Sequence, residues 1–393
     1  MKKLKKIQFY PNIGKLHSLY ISLINKPPKG YEFIFENPTF KNKLGEKLKI
    51  YKPVKYFYKG FTRLFKTLKV LEFFNDQKDL SQADLVYALG TSYSGNKPFI
   101  IDIIDTPFSL SGNKYDLFIK NKNKIKKYLE NPNCKKIICP HETALKFMRN
   151  NFEGRKICRK LSLVRQAFEP VPYKIPQNKF SLGKKVRVLF MGSINNSEDF
   201  YTKGGLEAVL AFKRICNNYN CELIIRCRVP ERVKKIIKGN KKIKLIENQI
   251  DFNNIIKLYS SSDFLLLPNH FYTIMATLES MSFKLPIISL DTYAVKHYIK
   301  DGYNGFVVKP SERISEYFNP SYPTNLREKK FTKKLWEVDQ DLIDRISKRI
   351  IDLIEDPKLR KKMGNNAYKF FKNNFSIKKR NKKLKKIFDN TLN

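Results

Sequence analysis

The residue types and spacings best suited to chemistry lie between Ser262 and Val308, in SDFLLLPNHFYTIMATLESMSFKLPIISLDTYAVKHYIKDGYNGFVV. Phe264 to Leu267 is a continuous apolar run halted by Pro268, the pattern of a strand buried on both faces of a parallel sheet. Thr273 then stands at the N-cap position of a helix whose apolar face carries Ile274, Leu278 and Met281. A strand that ends in a loop and turns into a helix presents backbone N–H groups and a positive helix dipole just outside the sheet's carboxyl edge. Open α/β sheets bind ligands at that edge, and the chemistry on offer is phosphate binding.

Glu279, Ser280 and Met281 are followed by Pro286, Ile287 and Ile288, and then by Asp301, Gly302 and Gly305. In this order and spacing they resemble the donor-binding half of retaining GT-B glycosyltransferases, the group one kind also called family four. Two positions depart from the family pattern. Phe271 stands eight residues before Glu279, where the family has a first Glu, and Ile274 stands where it usually has Gly. A matching stretch begins upstream with VRVLFMG at Val186. In the family a Gly-Arg ends this strand and a Lys-Gly opens the next helix, and both cations reach the donor diphosphate. Gly192, Lys203 and Gly204 match, whereas Ser193 replaces the Arg. In isolation a Lys-Gly-Gly reads as a solvated lysine, and only its position among the other motifs gives it a role.

The resemblance implies an α/β chain of GT-B architecture, two Rossmann-like domains facing a central cleft, with acceptor on the first and nucleotide-sugar on the second. It implies metal-independent, retaining transfer of a sugar to a glycan or lipid-linked acceptor, in polysaccharide assembly at the cell envelope, with no cofactor beyond the nucleotide-sugar co-substrate. Lys203 and the helix start at Thr273, Ile274, Met275 and Ala276 would neutralise the leaving diphosphate. Glu279 would bind the donor ribose, and Asn248, Gln249 and Ile250 the nucleobase. His270 and Thr273 would face the sugar beside Phe271, and Gly192, Ser193 and Gly204 would line the donor site.

Upstream, the order is again strand, loop and helix. Ile7 to Tyr10 reads as a first strand, and PNIG leads to a helix with Leu16, Leu19, Tyr20 and Leu23 on one face. Gly14 and His17 lie on this acceptor-side loop, although a His in the first turn of a surface helix is more often just solvated. Asp84 to Leu89 and Pro98 to Ile104 read as further strands, and Asp105 ends the second. Asp105 is the first candidate for acceptor contact, and capping of the Thr-Pro turn explains it equally well. Lys135 to Cys139 is another strand, and His141 opens the helix after it, as a cap or at the cleft lip. Three domains of sequence follow: an acceptor domain over 1–175, a nucleotide-sugar domain over 176–370, and a terminal helix over 371–393 crossing back to the first.

With 393 residues, 42% of them hydrophobic, the chain has material for two cores. Its 78 basic and 36 acidic residues leave a formal charge of +42, which favours polyanions, although Lys is spread along the whole chain as in AT-rich genomes. Lys41 to Lys69 holds ten basic residues and one acid, with Phe57, Phe61, Leu64, Phe65 and Leu68 on one helical face. That stripe fits either a helix lying on an anionic membrane or a basic helix packed on its own sheet. Six cysteines occur without a Cys-x-x-Cys pair, and Cys221 and Cys227 read as core rather than metal ligands. Asp339-Gln340-Asp341 imitates an Asp-x-Asp metal motif but sits where acids belong in a helix's first turn. No apolar run approaches the roughly 18 residues of a membrane span, and Pro11 interrupts the opening before the about 7 to 15 apolar residues of a signal peptide. The expected setting is cytoplasmic, peripheral on the inner face of the membrane. The rival class is a binding protein, either a catalytically degenerate GT-B subunit or a polyanion binder. Nucleic acid is disfavoured as a partner because no aromatic recognition motif accompanies the charge.

Overall fold

The computed structural model describes residues 3–10, 18–35, 80, 82–104, 108–111, 114–173, 181, 183–271, 273–319, 322–323 and 329–392. Gly14, His17, Asp105 and the basic, aromatic stretch 41–74 lie outside the described residues. The chain divides into two compact units, Met1–Ala167 with Ile377–Asn393, and Phe168–Ser376.

The first unit is built on a six-stranded parallel sheet of β1 (Lys5–Tyr10), β2 (Tyr31–Ile34), β3 (Leu85–Leu89), β4 (Phe99–Asp102), β5 (Cys134–Cys139) and β6 (Leu161–Leu163). Their spatial order is β2-β1-β3-β4-β5-β6. β3 and β4 are near-continuous apolar runs because both their faces are covered, whereas β2 alternates buried with half-buried positions. Phe9 stacks on Phe33 with centroids 4.8 Å apart, and Tyr87 meets both edge-on at 5.8 Å. The helix Ile377–Leu392 completes this core by packing Phe388 edge-on against Tyr31 at 5.1 Å and Phe33 at 6.0 Å. Its Arg380 donates to Ser22 Oγ and to the Ser22 carbonyl, and its Asp389 accepts from the Tyr31 hydroxyl at 2.7 Å.

The second unit repeats the plan with β7 (Val186–Met191), β8 (Cys221–Arg226), β9 (Ile243–Leu245), β10 (Phe264–Leu266), β11 (Ile287–Leu290) and β12 (Gly305–Val308). Their order is β12-β11-β10-β7-β8-β9, all parallel. The chain leaves β7 towards β8 and β9 and later returns to β7's other side, so β7 and β10 flank the topological switch point. The helix Gly205–Ile215 follows β7 and buries Leu206, Val209, Phe212 and Ile215 at every third position, while Lys213 and Arg214 stay exposed. The helix Ile274–Ser282 is buried on nearly every side, held between the sheet and the helix Pro357–Asn374. A Cβ on Gly364 would lie 2.2 Å from the Lys284 carbonyl oxygen, so only glycine permits the latter contact. No helix among the described residues is long and apolar enough to cross a membrane.

Candidate donor site

The loop after β10 is tied to the start of the helix after β7 by successive layers of contacts. Gly204 has φ +71, and a Cβ there would lie 1.9 Å from the Pro268 carbonyl oxygen beyond β10. Only glycine combines that left-handed backbone with that approach, which is why a Gly follows Lys203. One layer further in, His270 N–H donates to the Thr202 carbonyl at 3.0 Å, and His270 Nε2 lies 2.7 Å from Glu207 Oε1. His270 is fully buried, so its ring braces the loop from behind. Asn269 fixes the same loop: its amide donates to the Phe271 carbonyl at 2.7 Å, and its Oδ1 accepts from Ser289 at 2.6 Å.

Lys203 lies half-buried on this lip, at the C-cap of the short helix Asp199–Thr202. Among the described residues its ammonium has no hydrogen-bond or ion-pair partner. Burial lowers its basicity and the charge of Arg226 adds to that, while Cys227 and Asp199 act in the opposite sense. Gly192 and Ser193 end β7 beside it. The Ser193 hydroxyl accepts from the Asn195 N–H at 3.1 Å, and its carbonyl accepts from the Arg228 N–H at 3.1 Å.

Thr273 occupies the N-cap of Ile274–Ser282 with extended backbone, but its hydroxyl does not make the cap bond that the sequence suggests. The Thr277 hydroxyl instead donates to the Thr273 carbonyl at 2.6 Å, and the Thr273 side chain leaves the first N–H groups of the helix uncapped. Ile274 and Ala276 are buried and Met275 half-buried, so their side chains serve packing and only the backbone here can meet an anion. One turn on, Glu279 accepts from the Tyr259 hydroxyl at 2.7 Å, and Tyr259 stacks on Phe283 at 5.3 Å. Burial raises the Glu279 carboxyl above the ordinary range, and the Tyr259 hydrogen bond and the Arg226 charge pull it part of the way back. Asn248 and Gln249 are exposed and Ile250 half-buried after β9, just before Asp251 caps the helix Phe252–Ser261.

The Asp-Gly-x-x-Gly turn is structural. Asp301 accepts from the Val307 N–H at 2.9 Å, and a Cβ on Gly305 would lie 2.2 Å from the Ile287 carbonyl oxygen. Asp339 caps Gln340–Glu355 by accepting from the Leu342 N–H at 3.0 Å. In the first unit, His141 is buried and its Nδ1 accepts from the Ala144 N–H at 3.1 Å, the capping alternative. Two residues of the site carry no motif, Arg226 at the end of β8 and Tyr259. The rule that ligands meet carboxyl ends of strands would have pointed to Arg226, and nothing local points to Tyr259.

Residues 185–319 match the family model described as glycosyl transferases group 1. Among solved structures, the chain is similar to HepE of Anabaena in complex with UDP, at 13% identity and TM-score 0.61 over 98% of this chain and 100% of that one. It is similar to a glycosyltransferase of Rickettsia africae at 15% identity and TM-score 0.58, over 100% and 99% of the two chains. TarM of S. aureus matches at 14% identity and TM-score 0.54 over 80% of this chain, which spans 56% of the TarM chain. No curated protein sequence matches. The two parallel-sheet Rossmann-like halves and these neighbours define the fold as GT-B.

Proposed function

We propose that the protein is a glycosyltransferase that moves a sugar from a nucleotide-sugar donor to a glycan or lipid-linked acceptor, with retention and without a metal ion. The observation that carries this reading is the half-buried Lys203, without an ion pair among the described residues, at a switch-point edge within a stretch that matches group 1 glycosyl transferases. A cation held there without a partner stabilises a leaving diphosphate as its charge grows, and the uncapped start of Ile274–Ser282 adds backbone donors. Glu279, fixed by Tyr259, offers its second oxygen to a ribose hydroxyl. The charge needed by the leaving group then comes from the chain itself, and a divalent cation has no required role.

The decisive experiment is a panel of nucleotide-sugars, beginning with UDP-glucose, incubated with the purified protein, chelator and crude membrane lipid and glycan acceptors. HepE has been solved with UDP and glucose, which sets that starting point. Release of nucleoside diphosphate from one donor supports the reading. Nucleotide binding without turnover of any donor makes the protein a binding subunit, a reading favoured by Phe271, whose ring cannot accept hydrogen bonds from sugar hydroxyls. If transfer occurs, the preferred sugar lacks or inverts the hydroxyl that a Glu at this position would bind, and Phe271→Glu shifts the donor preference. Attachment to an anionic membrane through residues 51–74 belongs to the same reading. Vesicle flotation that is equal for neutral and anionic lipid, or unaffected by changing Lys59, Arg63 and Lys66 to Glu, removes it.

A further inference from the structure

We infer that Arg226 joins Lys203 in a two-cation cradle for a diphosphate, with Gly192 as its shared floor. The inference rests on the nucleotide-sugar reading for the identity of the ligand, and on geometry for the cradle itself. Parallel pairing of β7 with β8 sets Arg226 beside Met191, at the carboxyl end of the strand next to the switch point. Gly192 N–H donates to the Arg226 carbonyl at 2.8 Å, and Arg226 Nη1 returns to the Gly192 carbonyl at 2.9 Å. The side chain is thereby folded across the end of β7 instead of extending into solvent. Its Nε–H is buried and has no hydrogen-bond partner among the described residues. Lys203 lies over the same glycine: a Cβ on Gly192 would come within 3.5 Å of Lys203 Cδ and 2.3 Å of Cys227 Sγ. A side chain at position 192 would push the lysine and the thiol aside.

Two cations brought together in partial burial repel each other, and a fold tolerates this where an anion completes the site. The carboxylates on and around this sheet make their hydrogen bonds and ion pairs elsewhere, although the Arg226 charge acts on Glu279. Glu279 holds the Tyr259 hydroxyl, Glu207 holds His270, and Glu222 pairs with Arg187 and Lys244. Asp199 eases the burden on Lys203 electrostatically but forms no ion pair with it among the described residues. Position 193, which follows Gly192 directly, carries a Ser whose hydroxyl accepts from the Asn195 N–H, so the carboxyl end of β7 delivers no cation. The neighbouring strand delivers one. With Nη1 on Gly192, the guanidinium still has Nε–H and its other N–H groups in a planar fork suited to phosphate oxygens, while Lys203 supplies a compact charge. A diphosphate, with charge on two adjacent phosphoryl groups, matches two cations better than a single carboxylate does.

The test is calorimetric titration of the native protein, Arg226→Gln and Arg226→Lys with inorganic pyrophosphate, with UDP, GDP and ADP, and with the matching nucleosides. Arg226→Gln is expected to weaken pyrophosphate and the preferred nucleoside diphosphate by about ten- to a hundredfold, the scale of a charged hydrogen bond. It should leave affinity for the nucleoside within about twofold. Adding Ser193→Arg to Arg226→Gln is expected to restore part of the loss. Should Arg226→Gln fail to fold, Arg226→Lys carries the test, since its single ammonium cannot serve Gly192 and phosphate together and should cost several-fold in affinity. Native-like pyrophosphate and diphosphate affinity in these variants overturns the cradle, as does a native protein that binds no diphosphate. Lack of donor turnover with pyrophosphate binding intact sinks the transferase reading and leaves the cradle standing.

Discussion

In the first sheet, β4 ends on Asp102, whose carboxylate accepts from the Tyr87 hydroxyl at 2.8 Å and from the Ile104 N–H at 2.9 Å. In the second, β8 ends on Arg226, whose buried Nε–H has no hydrogen-bond partner among the described residues, beside a lysine with no ion pair among them. Both are polar groups at the carboxyl edge of a parallel sheet. Arg380 nearby in the first unit is held by Ser22 and Asn381, and burial there lowers its guanidinium to about 10. The first edge spends its polar groups on itself, and the second keeps charge in reserve. A buried polar group that is satisfied within the fold serves stability, whereas one left without a partner marks a place for something else.

That contrast breaks most sharply at Lys203. Under the proposed reading, Lys203→Ala lowers donor turnover by about 10²- to 10³-fold, the effect of losing one transition-state donor, while nucleoside binding and ligand-free stability hold. If rate and nucleoside diphosphate affinity are both unchanged, Lys203 is a solvated lysine and the contrast loses its meaning. The opposite response is expected at the other edge. Tyr87→Phe removes a buried hydrogen bond and should cost about 1–3 kcal/mol in urea unfolding, with diphosphate affinity untouched. A loss of ligand affinity there would show that the two edges are not independent.

The smallest effect sharpens the comparison by pH. Because burial raises the Glu279 carboxyl, its contribution to stability is greatest below the ordinary carboxylate range and is lost as pH rises through the raised value. Glu279→Gln should therefore melt higher than the native protein at about pH 7, and the gap should close towards about pH 4. A gap that widens as pH falls would mean that the ionised carboxylate is the stabilising form.

What could be read from sequence, and what could not, follows from the range of the cause. The strands at Ile7, Val186 and Phe264 were legible because a strand covered on both faces is apolar over most of its length. Lys203-Gly204 and Asp301-Gly302 were legible because a left-handed backbone or a close approach leaves a glycine in the sequence. His141 could not be decided, since a cap and a cleft residue both precede a helix. Its bond to Ala144 N–H comes from backbone geometry that spacing does not reveal. Arg226 stayed hidden for a different reason: its partner Gly192 lies 34 residues away and meets it only through strand register. Tyr259 reaches Glu279 across 20 residues through the packing of two helices.

The helix Ile377–Leu392 has a consequence for how the chain is born. A ribosome releases residues in order, so the sheet of the first unit emerges long before the segment carrying Leu384 and Phe388 that shields it. The second unit, continuous from Phe168 to Ser376, has all its strands in hand by then. During synthesis the later half can therefore reach its native packing first, and the earlier half waits with Tyr31 and Phe33 uncovered until the last turns of helix arrive. Such an interval is where chaperone binding and aggregation compete with folding, and it places the kinetic weak point of the protein in the first unit.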